Sequence, residues 1–169
     1  RTGELQNTLE IYFPFSGKCA FSPDGKLVAA LKKNKILLFG SLYGTLKRTL
    51  NVQSGDGIAI AFLSNEQLIS ASRDGTLEIW STISGKLQQT APLGYEEELI
   101  SDGLAKANFS PDGSLLVGTL GDGTRKLWDT EKAKIQHTLK SHGEKFQSLA
   151  FSPDGQLLAT GSGHGILEL

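Results

Sequence analysis

The residue types able to do chemistry are sparse in this chain, and they sit where chemistry does not need them. Its three histidines, His137, His142 and His164, fall in no metal-ligand spacing, and its single cysteine, Cys19, cannot build a zinc site or an internal disulfide. Cys19 lies beside Ala20 and Phe21 in a predicted strand, so a small buried hydrophobe is expected there rather than a reactive thiol. The string Gly161-Ser162-Gly163-His164-Gly165 brings a serine and a histidine together, but it occupies a turn position that recurs along the chain. Gly121-Asp122-Gly123 could pass for a phosphate loop. It precedes a strand, however, so the helix N-terminus that a phosphate loop relies on is missing. Triads are spatial rather than sequential, yet nothing in the sequence favours one. The reading is of a non-enzyme, with no catalytic residue, no metal and no cofactor.

The elements that hold these residues are set by a repeat. Phe-Ser-Pro-Asp-Gly occurs at 21–25, 109–113 and 151–155, and a degenerate copy, Phe62-Leu63-Ser64-Asn65-Glu66, lies between the first two. The spacings from phenylalanine to phenylalanine are 41, 47 and 42 residues, the period of an array of one supersecondary unit. In each unit a short apolar strand, a, runs into the phenylalanine. Ser-Pro-Asp-Gly then turns the chain: proline presets φ, aspartate bonds the local backbone, and glycine accepts positive φ. Strand b follows at Leu27–Leu31, Leu68–Ser72, Leu115–Leu120 and Leu157–Gly161. A second tight turn is Arg73-Asp74-Gly75, Gly121-Asp122-Gly123 or Gly163-His164-Gly165, with Lys32-Lys33-Asn34 in the first unit. Strand c ends on Phe39, Trp80 or Trp128, and an alternating strand d closes the unit at Leu46–Leu50, Leu87–Ala91 and Ile135–Leu139.

Four short antiparallel strands cannot bury both faces alone, so the units must pack face to face and radially. That is an all-β fold, a β-propeller of four-stranded antiparallel blades. A β-sandwich with coincidental turns is the competitor, and four aligned copies argue against it. The units run over approximately 3–40, 44–81, 85–129 and 133–169 of a single 1–169 segment.

These residues resemble the WD-repeat (WD40) β-propeller family over essentially the whole chain. Trp128-Asp129 is a literal WD dipeptide, and Trp80-Ser81 and Phe39-Gly40 are diverged versions. The resemblance implies that Ser70, Asp74 and Trp80 belong to the family's buried Ser–Asp–Trp–His network, with Gln53 in the histidine position. It implies the same for Asp122 and Trp128, where Gly118 stands in place of the hydroxyl. His142 matches the histidine that precedes strand a. Lys33 and His164 replace the turn aspartate in the first and last units, so no repeat keeps a complete network. The clean Phe-Ser-Pro-Asp-Gly copies resemble bacterial members. The offset from Leu115 to Trp128, applied from Leu157, points one residue past Leu169. Gly3–Leu9 reads as a strand d with no a, b or c before it. The expectation is an incomplete ring of about four repeats, part of a larger propeller, seven blades being common in the family. The alternative is that Leu5–Leu9 closes the fourth blade, giving a four-bladed or self-assembling half ring.

Composition narrows the partners. Lys+Arg number 17 against Asp+Glu 18, a net charge of −1, so no basic excess draws in nucleic acid or an anionic membrane. No apolar run approaches the roughly 18 residues of a membrane helix. Cytoplasmic placement is the default that remains where no targeting signal is visible. Binding signals gather on the face shared by the d–a loops and b–c turns. Lys32 and Arg73 precede the turn's aspartate position. The long loop 92–103 carries Tyr95 beside Glu96, Glu97 and Glu98, an anchor with an acidic rim; the plain alternative is a solvated loop or a helical turn over 96–101. The expected function is a non-catalytic scaffold presenting this face to protein or peptide partners. Further blades of the same chain, or self-association, would cover its ends. The alternatives are a sensor or regulatory segment of a larger enzyme such as a kinase or NTPase, and a propeller hydrolase with a carboxylate or histidine cluster at its channel.

Overall fold

The computed structural model describes residues 18–94, 103–139, 146–162 and 167–169, and among them every regular element is a strand. The first sheet is β1 (Lys18–Phe21), β2 (Leu27–Lys32), β3 (Lys35–Gly40) and β4 (Leu46–Asn51), hydrogen-bonded in that order. The second is β5 (Gly57–Phe62), β6 (Gln67–Ser72), β7 (Thr76–Ser81) and β8 (Leu87–Pro92). The third is β9 (Leu104–Phe109), β10 (Leu115–Leu120), β11 (Arg125–Asp129) and β12 (Lys134–Leu139). The fourth is β13 (Phe146–Phe151), β14 (Leu158–Ser162) and β15 (Leu167–Glu168). All pairings are antiparallel, so these are the expected propeller blades. In the three complete blades the c–d pairing slips by one residue beside the aromatic, at Phe39, Trp80 and Trp128. Such a bulge sharpens the twist of the outer strand.

The inner strands neighbour one another in the order β1, β5, β9, β13. Among the described residues no packing of comparable extent returns from β13 to β1, so the described blades form an open arc. Leu5–Leu9 lies outside the described residues. Sequence repeat and sheet are offset by one strand. The repeat at 44–81 supplies β4 to β7, whereas the second sheet is β5 to β8. Each blade therefore borrows its outer strand from the following repeat.

Two apolar interfaces hold the arc. Between the first and second blades, Ala29, Leu31, Ile36, Leu38, Leu50 and Val52 pack with Ile60, Phe62, Leu68 and Trp80. Between the second and third, Ala59, Ala61, Ile69, Ala71 and Leu77 meet Leu104, Ala107, Leu116, Leu120 and Trp128. Alternation along strand a explains this. Ile60 and Phe62 face the preceding blade while Ala59 and Ala61 face the following one. The same alternation corrects the expectation for Cys19, which is exposed rather than buried. Cys19 and Phe21 point to the side where a preceding blade would lie, and Phe21 is correspondingly 64% exposed.

The Ser-Pro-Asp-Gly turns are identical polar clamps. Ser22, Ser110 and Ser152 donate from Oγ to Asp24, Asp112 and Asp154 at 2.7, 2.6 and 2.5 Å. Each Oγ in turn accepts the N–H of the first residue of strand b or the one before it, Leu27, Leu115 or Leu157, at 2.9 Å. Each aspartate also accepts a backbone N–H two residues on, from Lys26, Ser114 or Gln156. Gly113 closes its turn at φ +74°, and an added Cβ would meet Leu63 Cδ2 at 2.7 Å, so this glycine is required twice over.

The clamps hold the carboxyls of Asp112 and Asp154 below the usual range, chiefly through the serine hydroxyls, and that of Asp24 chiefly through the Lys26 N–H. A carboxyl whose folded pKa is depressed contributes stability that is present above its unfolded pKa of about 3.9. That contribution is lost as pH falls through the lower folded value. The melting temperature is therefore expected to drop on acidification below about pH 4, and Ser110→Ala should shrink the drop while lowering the melt at neutral pH. A melt followed against pH in both proteins checks this; an identical acid slope in the variant contradicts the clamp.

Candidate functional site

The face carrying the b–c turns and d–a connections is built on a backbone rail. The Gly57 N–H, at the start of β5, donates to Lys33 O at 3.0 Å, and the Leu104 N–H, at the start of β9, donates to Arg73 O at 2.8 Å. The first two b–c turns thus seat the first residue of the next blade's inner strand. Arg73 is held a second time, its N–H donating to Asp56 O at 2.8 Å. Gly103 lies so close beneath it that a Cβ there would meet Arg73 O at 2.4 Å. The Arg73 side chain nonetheless stays exposed. Lys32, half-buried at the end of β2, occupies the equivalent turn of the first blade and pairs across the hairpin with Lys35. Tyr95, Glu96, Glu97 and Glu98 lie outside the described residues, as do His142 and His164.

The buried network is present in part and differs from the expected one. Trp80 Nε1 donates to Ser70 Oγ at 3.2 Å, both residues being buried. Asp74 serves its own turn, accepting the Thr76 N–H at 3.0 Å, and Asp122 does the same with the N–H and hydroxyl of Thr124 at 2.7 and 2.8 Å. Gly118 leaves no room for the family's hydroxyl. A Cβ there would meet Leu104 Cδ2 at 2.6 Å and Trp128 Cζ3 at 3.0 Å, so Leu104 and the indole fill the space instead.

The anchor of the second d–a loop is Glu78, which sequence reasoning passed over. It is 1% exposed, and its Oε1 accepts the Gln53 N–H at 3.0 Å, the Ser54 N–H at 3.1 Å and the Ser54 hydroxyl at 2.9 Å. Ser54 Oγ also lies 3.2 Å from Ser72 Oγ. One carboxyl oxygen on strand c thus does what a histidine–aspartate pair would do, fixing the loop that enters the blade. The available signal was a charge two residues before Trp80, on the same face of β7 as the indole. Lys126 stands at the corresponding position before Trp128 and is also buried.

The opposite end of each of the three complete blades is tied by hydroxyls two residues past the aromatic. Ser41 donates to Gly25 O at 2.6 Å, Thr82 to Asn65 O at 2.9 Å and Thr130 to Gly113 O at 2.7 Å, joining the c–d turn to the a–b turn. The aspartate of the WD dipeptide has a local task. Asp129 accepts the Lys132 N–H at 2.9 Å and pairs with its ammonium at 3.0 Å. Ser81 replaces it in the second blade by accepting the Ser84 N–H at 3.1 Å.

The sequence profile of the family described as "WD domain, G-beta repeat" matches residues 44–81 and 133–168. This chain carries WD40 repeats. The chain is 29% identical over 145 residues to Periodic tryptophan protein 2 of Arabidopsis thaliana, a match covering 84% of this chain and 16% of that protein's length. WD-repeat proteins are generally protein-interaction scaffolds without catalysis. Among the described residues no group of three or more His, Cys, Asp or Glu is placed to hold a metal, and no helix is long and apolar enough to cross a membrane.

Glu78→Ala strands two N–H groups and a hydroxyl in a half-buried loop, and should cost roughly 2–4 kcal/mol of unfolding free energy. Glu78→Gln keeps an acceptor at Oε1 and should cost clearly less. Denaturant titration of the two variants separates the cases; equal losses would mean that side-chain volume rather than the acceptor matters.

Proposed function

We propose that this protein is a non-catalytic WD-repeat scaffold whose d–a and b–c loop face binds a protein or peptide partner. Lys32, Arg73, Tyr95 and residues 96–98 are the contacting set. The observation that carries this reading is Arg73. Its main chain is bonded on both sides and underpinned by Gly103, while its side chain stays exposed. A guanidinium displayed on a fixed backbone loses little conformational freedom on binding, and arginine is a favoured interface anchor. The aromatic Tyr95 and the acidic run beside it supply an apolar contact and a polar rim from the longest d–a loop. The net charge of −1 fits a peptide or protein better than a nucleic acid.

The test is the double variant Arg73→Glu, Tyr95→Ala in the intact protein. Partners cross-linked in cells are identified, and the tightest is titrated calorimetrically against both proteins. Affinity should fall by about thirtyfold or more, the scale of one interface anchor, with an unchanged thermal melt. Equal affinity for the two proteins would remove this face from the function.

A further inference from the structure

The apolar side chains that stand exposed are not on the loop face. Among the described residues, no exposed large apolar side chain lies in a b–c turn or a d–a connection. At the opposite end, the c–d turns of the first two blades carry Leu42, Tyr43 and Ile83, which are 70%, 79% and 60% exposed. The turn itself does not call for them. Aligned on the tying hydroxyls of Ser41, Thr82 and Thr130, Leu42 and Ile83 correspond to Glu131, and Tyr43 corresponds to Ser84 and Lys132. The third blade thus forms the same turn with two charged residues in these places.

Hydrogen bonds lace the turns of the first two blades into one platform. The Asp24 N–H donates to Asn65 Oδ1 at 3.0 Å and joins the two a–b turns. Ser41 and Thr82 join each c–d turn to the a–b turn of its own blade. Arg48 Nε, on β4, donates to Thr82 O at 3.2 Å, and a Cβ at Gly85 would meet Arg48 Cδ at 3.3 Å. The second c–d turn is therefore seated on the strand that leaves the first. Side chains displayed on such a fixed base lose little freedom on binding.

A basic rim accompanies the apolar residues. Lys26, Lys47 and Lys86 are exposed, and Lys47 Cε folds back to within 3.1 Å of where a Cβ at Gly40 would stand. Residues 21–26, 40–48, 62–67 and 81–89 hold four Lys and Arg against two Asp and Glu, a local positive excess in a chain of net charge −1. One of the two acids, Asp24, is already engaged by the Ser22 hydroxyl and the Lys26 N–H. The matching stretches of the third blade, 109–114 and 129–137, hold three acids against two bases. The pairing of exposed apolar residues with positive charge thus belongs to the first two blades.

We propose that this platform is a second docking surface, and that it takes a partner polypeptide segment presenting apolar side chains flanked by carboxylates. The apolar side chains of the segment cover Leu42, Tyr43 and Ile83, and its carboxylates meet the lysines at the rim. An isologous contact with a second copy would set positive rim against positive rim. An anionic membrane is a poorer fit, because so small a charge excess gives a weak draw and three side chains a shallow insertion. The platform lies at the opposite end of the blades from Arg73, so the two surfaces succeed or fail separately.

The test selects a random-peptide display library on the intact protein and titrates the enriched peptides in solution. The enriched peptides should combine large apolar residues with aspartate or glutamate, and should bind more weakly as salt is raised. Affinity should fall about tenfold or more in the double variant Tyr43→Ser, Ile83→Glu, the scale of one lost interface anchor, and again in Lys47→Glu, Lys86→Glu. The first pair copies the residues that Ser84 and Glu131 already place in these turns, so its thermal melt should be unchanged; if it unfolds, the charge-reversed pair decides. Enriched peptides that lack acidic residues, or that bind wild type and both variants equally, would overturn the proposal. Binding to phosphatidylserine vesicles that is lost in these variants, with no peptide showing the same dependence, would assign the platform to lipid and overturn it too.

Discussion

The structure depends on one constraint: each four-stranded sheet is apolar on both faces and has to be covered twice. No single blade can meet that demand, so the blades stack, and everything else in the chain serves the stacking. Small residues at the contact, Ala29, Ala59, Ala61, Ala71 and Ala107, let neighbouring sheets approach. Leu31, Leu68, Leu104, Leu116 and the two tryptophans then fill the space. Each such side chain contributes on the order of 1.5–3 kcal/mol when fully withdrawn from water. The third and fourth blades add a polar contact, with the buried Arg125 donating to Thr160 at 3.2 Å. The high exposure of Phe21 follows from the same rule, since among the described residues nothing lies against that face.

Polar groups take up the positions that apolar packing cannot set. At one end, serine–aspartate clamps and the hydroxyls of Ser41, Thr82 and Thr130 lock the a–b and c–d turns to each other. At the other, the carbonyls of Lys33 and Arg73 receive the first N–H of the following blade. The consequence for function lies in the division of labour. Main-chain atoms of the loop face are consumed in holding blades together, while side chains such as Arg73 stay exposed on a fixed base. That is the physical condition under which a surface binds without paying heavily in lost freedom.

The buried Glu78 shows how such a scaffold survives an incomplete polar network. The family's histidine is absent at Gln53 and the turn aspartate is occupied locally, yet the loop is still held, because three donors converge on one carboxyl oxygen. A substitute of different chemistry holds the loop, since the requirement is that loop donors find an acceptor, not which residue supplies it; the other carboxyl oxygen, Oε2, is buried without a hydrogen-bond partner among the described residues.

The sequence by itself determined the strands, their turns and the radial packing. Phe-Ser-Pro-Asp-Gly has only one way to satisfy its own backbone, and its recurrence at 21, 109 and 151 fixed the period. Alternation within each strand was equally legible, because side-chain direction has a period of two. The bond between Trp80 and Ser70 was implied by the resemblance to the WD-repeat family, and in the structure it runs diagonally across one hairpin, Ser70 standing opposite Glu78 and Trp80 opposite Leu68. What depends on contacts between blades was decided only by the tertiary structure. Cys19 looked like a core residue because its neighbours are apolar, and only the absence of a blade against it, among the described residues, leaves it exposed. Nothing in the local pattern singled out Glu78, and only the loop folding over it turns it into an anchor. Lys18 Nζ donates to Asn108 Oδ1 across 90 residues of sequence, and no local pattern brings the two together. Local periodicity carries which way a side chain points; what it then meets is set by the rotation from one blade to the next, which no single repeat encodes.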